Sequence, residues 1–520
     1  MRKLALVAAG FAVLAAVAYW GLVVYPSQRF RAALDQQIGR LPAGVTATYG
    51  SARYSLLTHK AEITDVSVKA DRQYPWDVRL GEVTIRNPDL GFSAAWAEAA
   101  QNAAVPPDRS LAIADSITAR AISVHGGATT VTNDLVSIDK LRIYPATLQH
   151  VDLPNVVEAF AAASAQPQAS LISLLPLIRL EAAVMLGVAY DSYAIEGLKA
   201  TGDGPTVAGA RGKFEVSLGE LHSAGFDRGV YAGATMDKLV EKIDPQIDMT
   251  VDHITFAGMD MSKPMHSLIA ADALSLSLLD GLTIGRIEYD GMTTITPRGA
   301  PVTIANFFVS DVSFDRGLPA SLTFGMNGVR VTRAMAANPQ GRAGFDLLGL
   351  DAMTISLGAG LSIDAEKGTA ALRNASFKID ELGGLTLDAD LSGLSTQDLM
   401  AGDFAAAEAG LSLDHASLRY DDASLMDRWM RNAGGKGPGD PAVLRKQFAA
   451  LAQLRLAAFG GSPNVAASGK AVSDFLMNPH SLTITAAPPS PVPMDVLSTL
   501  PQLAPPQIEE LLGLLVSAEQ

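Results

Sequence analysis

GLTLDADLSG, residues 384 to 393, alternates apolar and polar side chains with a period of two. In an extended chain Leu385, Leu387, Ala389 and Leu391 fall on one side, and Thr386, Asp388, Asp390 and Ser392 on the other. A helix, with its period of 3.6, cannot sort these residues that way. The pattern predicts a strand with one dry face and one wet face. GEVTIRN, VSIDKLRIY, GKFEVSLGEL, DMTVDHITF, LTIGRIEYDG, MTISLGAGLSID and ALRNASFKID carry related patterns. Few long helical stretches separate these segments, so successive strands are predicted to pair as antiparallel hairpins and meanders.

A second regularity supports hairpins. An aromatic residue is followed by aspartate at Tyr190-Asp191, Phe226-Asp227, Tyr289-Asp290, Phe314-Asp315, Phe345-Asp346 and Tyr420-Asp421. An aromatic side chain suits the last inward position of a strand. Aspartate suits the first turn position, where its carboxylate can accept from a backbone amide two residues on. Phe-Asp-Arg-Gly occurs twice, at 226–229 and 314–317, and Asp290-Gly291 is a hairpin dipeptide.

The totals narrow the function classes. Charged residues make up 18% of the 520, against about 25% in an ordinary soluble domain. The net charge of −14, with no Lys/Arg run, argues against nucleic acid as a partner. The absence of cysteine excludes disulfides, thiolate metal sites and cysteine nucleophiles.

The first segment points to a membrane. Residues 4 to 25, LALVAAGFAVLAAVAYWGLVVY, carry no charge. As a helix they would be roughly 33 Å long, enough to cross a bilayer core of about 30 Å. Arg2 and Lys3 favour a cytoplasmic N-terminus, and Tyr19, Trp20 and Tyr25 suit the far interface. Ala16-Val17-Ala18 is a small-x-small site, but the apolar run continues beyond it, which favours an uncleaved anchor over a removed signal peptide. Whether residues 1–18 are cleaved stays open. Either way the remainder is expected to be exported.

Three regions are predicted: an anchor over 1–26, an elongated β-rich region with short helices over 27–420, and a C-terminal helical region with one or two closing strands over 421–520. Phe30, Leu34 and Ile38 share one face of a helix over 27–41. Further helices are expected at 91–104 and 155–166, after Ser424, and after Asp440-Pro441. Val443, Leu444, Phe448, Leu451 and Leu454 form the apolar stripe of that last helix. KAVSDFLMN is another helix, SLTITA a short strand, and EELLGLLVSAEQ a helix turning into a final strand.

No constellation for catalysis emerges. His59, His125, His150, His222, His253, His266, His415 and His480 never stand at metal-ligand spacing. There is no GxSxG elbow. Gly202, Gly204 and Gly209, and the segment GGKGPGD (434–440), lack nucleotide-loop spacing and read as turns and linker. Asp388-x-Asp390-x-Ser392-Gly393 matches half of a calcium loop, but its twelfth position is Leu399 and a strand precedes it. Asp421-Asp422 and Glu509-Glu510 read as solvated acids. No catalytic, cofactor-binding or metal-binding residue is assigned, and no cofactor is expected.

A basic start, one anchor, an export-side helix and a succession of amphipathic strands together resemble the AsmA-like proteins of the Gram-negative envelope. The stretches that carry the resemblance are YGSARYSLLTHKAEITDVSV, GFDLLGLDAMTISLGAGLSID and ALRNASFKIDELGGLTLDADLSGL. The resemblance implies an inner-membrane anchor, a periplasmic bulk, and an open β-groove with an apolar lining that handles phospholipid. It brings no catalytic residues. The expected fold is mainly β with peripheral helices: a long, curved antiparallel sheet after one N-terminal transmembrane helix. The expected function is a non-enzymatic, membrane-anchored envelope protein with an amphipathic sheet surface or groove for phospholipid. The alternative is a structural or adaptor protein docking onto another envelope complex. An exported hydrolase with a site built from distant residues is a third reading.

Overall fold

The structure is a computed structural model. It describes residues 27–519 apart from 40, 42, 56–57, 72–74, 90–91, 102–105, 107, 149–174, 206–210, 244–246, 272, 296–300, 337, 434–439, 458–462 and 504. The expected anchor and the expected helix at 155–166 lie outside the described residues. Among those described, no helix is long and apolar enough to cross a membrane. The fold is mainly antiparallel β-sheet with helices, and the chain divides into two compact units, 1–287 and 288–520.

The first unit opens with helix α1 (Ser27–Ile38), followed by β1 (Val45–Thr48), β2 (Ser51–Ser55), β3 (Lys60–Ala70) and β4 (Trp76–Arg86). Helix α2 (Phe92–Gln101) leads to β5 (Leu111–Gly126) and β6 (Thr129–Ile143); α3 (Pro145–Leu148) and α4 (Leu175–Leu186) come next. The remaining strands are β7 (Val188–Tyr190), β8 (Ser192–Pro205), β9 (Arg211–Ser223), β10 (Phe226–Asp227), β11 (Val230–Ile243) and β12 (Ile247–Asp260), before α5 (Ser262–Ala270). β1 and β2 both pair with β3, and the order continues β3–β4–β5–β6–β8–β9–β11–β12, antiparallel throughout. α1 lays Phe30 and Leu34 on this sheet, 2% and 3% exposed, as their spacing predicts. Arg31 Nε donates to the Ala52 carbonyl at 2.9 Å and fixes the helix against β2.

These strands are long; β5 has 16 residues, against a mean of about 5–6. Strict alternation does not run through them. Between the pairs Thr64↔Glu82 and Val66↔Leu80, Asp65 faces Gly81, and between Leu80↔Ile122 and Glu82↔Arg120, Gly81 faces Ala121. Further on, Gly197 faces Gly219. Asp65, Ala121, Gly197 and Lys238 take positive φ, 51°, 50°, 65° and 57°. A Cβ on Gly81 would lie 3.0 Å from that of Ala121, and one on Gly219 would lie 3.4 Å from that of Lys238. Each strand therefore carries an irregular residue at a matching height, flipping its face there. The inward residues stand three apart across this seam: Ile63 and Val66, Leu80 and Val83, Ala119 and Ile122, Ile195 and Leu198, Val251 and Ile254.

β13 (Thr283–Ile295) contains the division between the units. The second unit holds β14 (Pro301–Asp315), β15 (Leu318–Thr332), α6 (Pro339–Leu348), β16 (Ala352–Asp364), β17 (Thr369–Ile379) and β18 (Gly383–Ser392). α7 (Thr396–Ala401) and α8 (Phe404–Ala409) precede β19 (Ser412–Asp422). Then come α9 (Leu425–Ala433), α10 (Pro441–Ala457), α11 (Pro463–Met477), β20 (Ser481–Ala486), β21 (Val492–Pro493), α12 (Met494–Ser498), α13 (Pro505–Leu512) and β22 (Leu514–Glu519). The strands run β14–β15–β16–β17–β18–β19–β20–β22, all antiparallel, with β21 beside part of β19.

Both Phe-Asp-Arg-Gly segments are two-residue hairpins. Asp227 pairs with Val230 and Asp315 with Leu318. Arg228 and Gly229 have φ of 46° and 87°, Arg316 and Gly317 52° and 81°, the double positive φ of a type I′ turn. Tyr190 and Tyr420 also stand at or near strand ends. Two of the six pairs differ from expectation. Tyr289-Asp290 lies inside β13, so Asp290-Gly291 makes no hairpin, and Phe345-Asp346 lies in α6. There Phe345 is buried and Asp346 accepts two hydrogen bonds from Arg333. Gly202 and Gly204 lie within β8, not in a turn. α9 starts where expected, but its first-turn amide at Met426 donates to Asp422, not Ser424. Asp440 caps α10 through the Ala442 amide.

Truncating Leu34→Ala removes a buried contact between α1 and the sheet. The expected cost is about 2–4 kcal/mol, read as a lower urea midpoint for the first unit at unchanged slope. An aromatic chain in that unit gives a second test. Tyr190 stacks on Phe226 at 5.7 Å, and Phe226 meets Tyr231 at 5.9 Å. Burial pushes the Tyr193 hydroxyl up to about 12 and also raises that of Tyr190. The stability these neutral phenols supply is full below the unfolded value of about 10 and is lost as pH rises toward about 12. Denaturation midpoints should fall between pH 9 and 12 (about the phenol range), and Tyr193→Phe should flatten that fall.

Candidate functional site

The register of the second unit shows what its sheet presents. Phe377 lies opposite Leu385, Ala375 opposite Leu387, and Leu372 opposite Ala389. Leu385 in turn faces Tyr420, and Leu387 faces Leu418. Leu418 faces Ile484, and Ile484 faces Val516. In the other direction Phe377 faces Leu357, and Leu357 faces Met326. Cross-strand partners share a face. From β15 to β22 these positions therefore carry apolar side chains and Tyr420, while Asp422, opposite Gly383 at the end of β19, places a carboxylate at the margin of the same face.

Helices cover this face at two places. Phe475 of α11 meets the Tyr420 ring at 5.8 Å, edge to face. Elsewhere Leu413, Ala486, Val492 and Leu512 form a buried cluster with Leu391, Ile508 and Leu511 packed against it. Between them the face is open: Phe377 is 46% exposed, Leu385 42%, and Leu418 and Ile484 37% each. Phe377 pairs with Leu385 and Leu418 with Ile484, and the two pairs are diagonal neighbours across β18 and β19. The first unit differs, for its corresponding residues in β3 to β6 are buried under 9%. Isolated exposed leucines need no explanation, but a contiguous apolar strip does.

The reverse face is polar. Thr386, Asp388 and Asp390 of β18 lie beside Arg419, Ser417 and His415 of β19. A groove of about 600 Å³ on this side is lined by residues including Phe308, Arg373, Ser376, Lys378, Thr386 and Asp421. Its charges are largely spent on one another: Arg373 pairs with Asp390, and Lys378 with Asp380 at 2.9 Å. Arg419 binds both Asp421 and Glu519, which raises its own pKa and holds the Glu519 carboxyl below the usual range.

The residues weighed for chemistry fall apart in space. Asp388 accepts from the Asn374 amide at 2.8 Å, Asp390 pairs with Arg373, and Ser392 donates to Asp414. Cross-strand bonding thus accounts for the calcium-like spacing. Asp422 accepts from the Tyr420 hydroxyl at 2.6 Å. His253 bonds Asp237 and His222 bonds Glu220, both on the sheet of the first unit, whereas His266 bonds the Ser262 carbonyl. His415 is 4.0 Å from Asp390. His150 lies outside the described residues. Among those described, no three His, Asp or Glu side chains are grouped to hold a metal ion.

Sequence alternation identified Leu385, Leu387, Ala389 and Leu391 as one face. It did not show that Phe377, Leu418 and Ile484 join them, since that depends on register. With the geometry in place, similarity adds little. A family model described as "Uncharacterized protein" matches residues 376–519, from the end of β17 to β22. No curated protein and no solved structure matches the chain.

The open strip predicts unequal responses to charge. Leu385→Asp should lower stability by less than about 1 kcal/mol, as at a half-exposed position. Leu413→Asp, within the covered cluster, should cost about 3 kcal/mol or more. Equal losses in thermal or urea unfolding would show that the strip is covered.

Proposed function

We propose that this chain is a non-enzymatic, membrane-anchored envelope protein whose second unit offers an apolar sheet face to phospholipid acyl chains. The observation that carries the reading is the apolar face from β15 to β22, left open at Phe377, Leu385, Leu418 and Ile484. An acyl chain gains by burying area and asks for no directed hydrogen bond, which is what such a strip supplies. The charge-free segment 4–25 supports a single-pass anchor, with the bulk of the chain on the periplasmic side. The resemblance to AsmA-like proteins, carried by residues 371–394 among others, agrees with phospholipid as the cargo. Asp388, Asp390 and His253, among the residues singled out in the sequence, are engaged between strands, which supports a binding role over a catalytic one.

A benzophenone amino acid placed at Leu385 of the full chain in its own membrane tests this directly. Irradiation should yield a phospholipid adduct at 385 and little or none from the same probe at Thr386, one residue away on the polar face. Adducts at 385 with one defined protein and no lipid would favour the adaptor reading instead.

A further inference from the structure

The helices that follow β19 carry an outward surface that the sheet does not use. Spacing alone predicts that Val443, Leu444, Phe448, Leu451 and Leu454 form the single apolar stripe of α10. The structure splits that stripe in two. Leu444 and Phe448 turn inward, with Phe448 5.3 Å from Trp429 of α9, and Ala449 is 4% exposed. Val443, Leu451 and Leu454 turn outward and are 49%, 47% and 69% exposed. At 100° per residue, Val443, Ala450 and Leu454 lie within a narrow arc at the centre of the exposed side. Lys446 lies about 40° beyond that arc on one side, and Arg455 about 100° beyond it on the other, at the rim of the exposed side next to Leu444 and Phe448; both are exposed. The stretch 425–477 has seven basic residues against three acidic ones, a net +4 in a chain of net −14. A helix with apolar residues along its outer midline, a cation to either side and a local positive charge matches an anionic bilayer surface. Apolar side chains enter the acyl boundary while Lys446 and Arg455 reach the phosphates.

We infer that α10 is a membrane-surface contact, distinct from the N-terminal segment, that binds bilayers rich in anionic phospholipid. It does not depend on the sheet face taking acyl chains. The cysteine-free sequence makes the test specific: Leu454→Cys gives the full chain one thiol for an environment-sensitive fluorophore. The labelled chain, held in nanodiscs of phosphatidylcholine, is titrated with vesicles of phosphatidylglycerol or of phosphatidylcholine. A blue shift and brightening are expected with phosphatidylglycerol vesicles and not with phosphatidylcholine, reduced by added salt. The same label at Ala128→Cys, in the β5–β6 turn, should stay unchanged. Adding Lys446→Gln and Arg455→Gln to the labelled chain should weaken the response at least ~10-fold. The contact is ruled out by an unchanged label at 454, by equal responses to the two lipids, or by a response that the double substitution leaves intact. A label that responds to a protein extract and not to vesicles would equally overturn it, assigning α10 to a protein partner.

Discussion

The structure depends on keeping apolar side chains on one face over strands two or three times the usual length. A regular strand manages this by alternation alone. In the first unit the alternation is broken where Asp65, Gly81, Ala121, Gly197, Gly219 and Lys238 interrupt successive ladders at matching height. One irregular strand alone would throw its second half onto the wrong face relative to its neighbours. A matched row lets all the strands flip together, so Ile63 and Val66, or Ile195 and Leu198, stay inside.

The same rule has a different outcome in the second unit. Its apolar face is kept continuous from β15 to β22, yet while helices cover Tyr420 and the Leu413 cluster, Phe377, Leu385, Leu418 and Ile484 stay part-exposed. The polar reverse needs no cover, because its charges pair with one another, as Arg419 does with Asp421 along β19 and with Glu519 of β22. What distinguishes the units is where helices land. α1 lies on the sheet of the first, whereas α10 in the second packs against α11 and turns leucines to solvent.

Much of the β architecture was legible in the residues. Alternation located the strands, Phe-Asp-Arg-Gly marked two type I′ hairpins, and Phe30, Leu34 and Ile38 marked α1. Phe345-Asp346 misled because the Phe-Asp pair suits a helix end as well as a strand end; only the residues around it decide between them. Tyr289-Asp290 misled because a local turn preference yields where the strand continues; there Tyr289 meets Phe307 and Asp290 accepts from Asn306, both of β14. The stripe of α10 was legible as apolar and illegible as to direction, for a helix apolar around most of its circumference has no single inward face.

By itself the sequence determined the antiparallel strands, their apolar and polar faces and the absence of cysteine, because these follow from neighbouring residues and composition. Only the tertiary structure decided which apolar residues are covered. Phe377, Leu385 and Leu418 have the same local pattern as buried strand residues, and their exposure depends on register and on helices distant in sequence. Pairing between strands also decided the partners of Asp388 and Asp390, the Asn374 amide and Arg373 of β17.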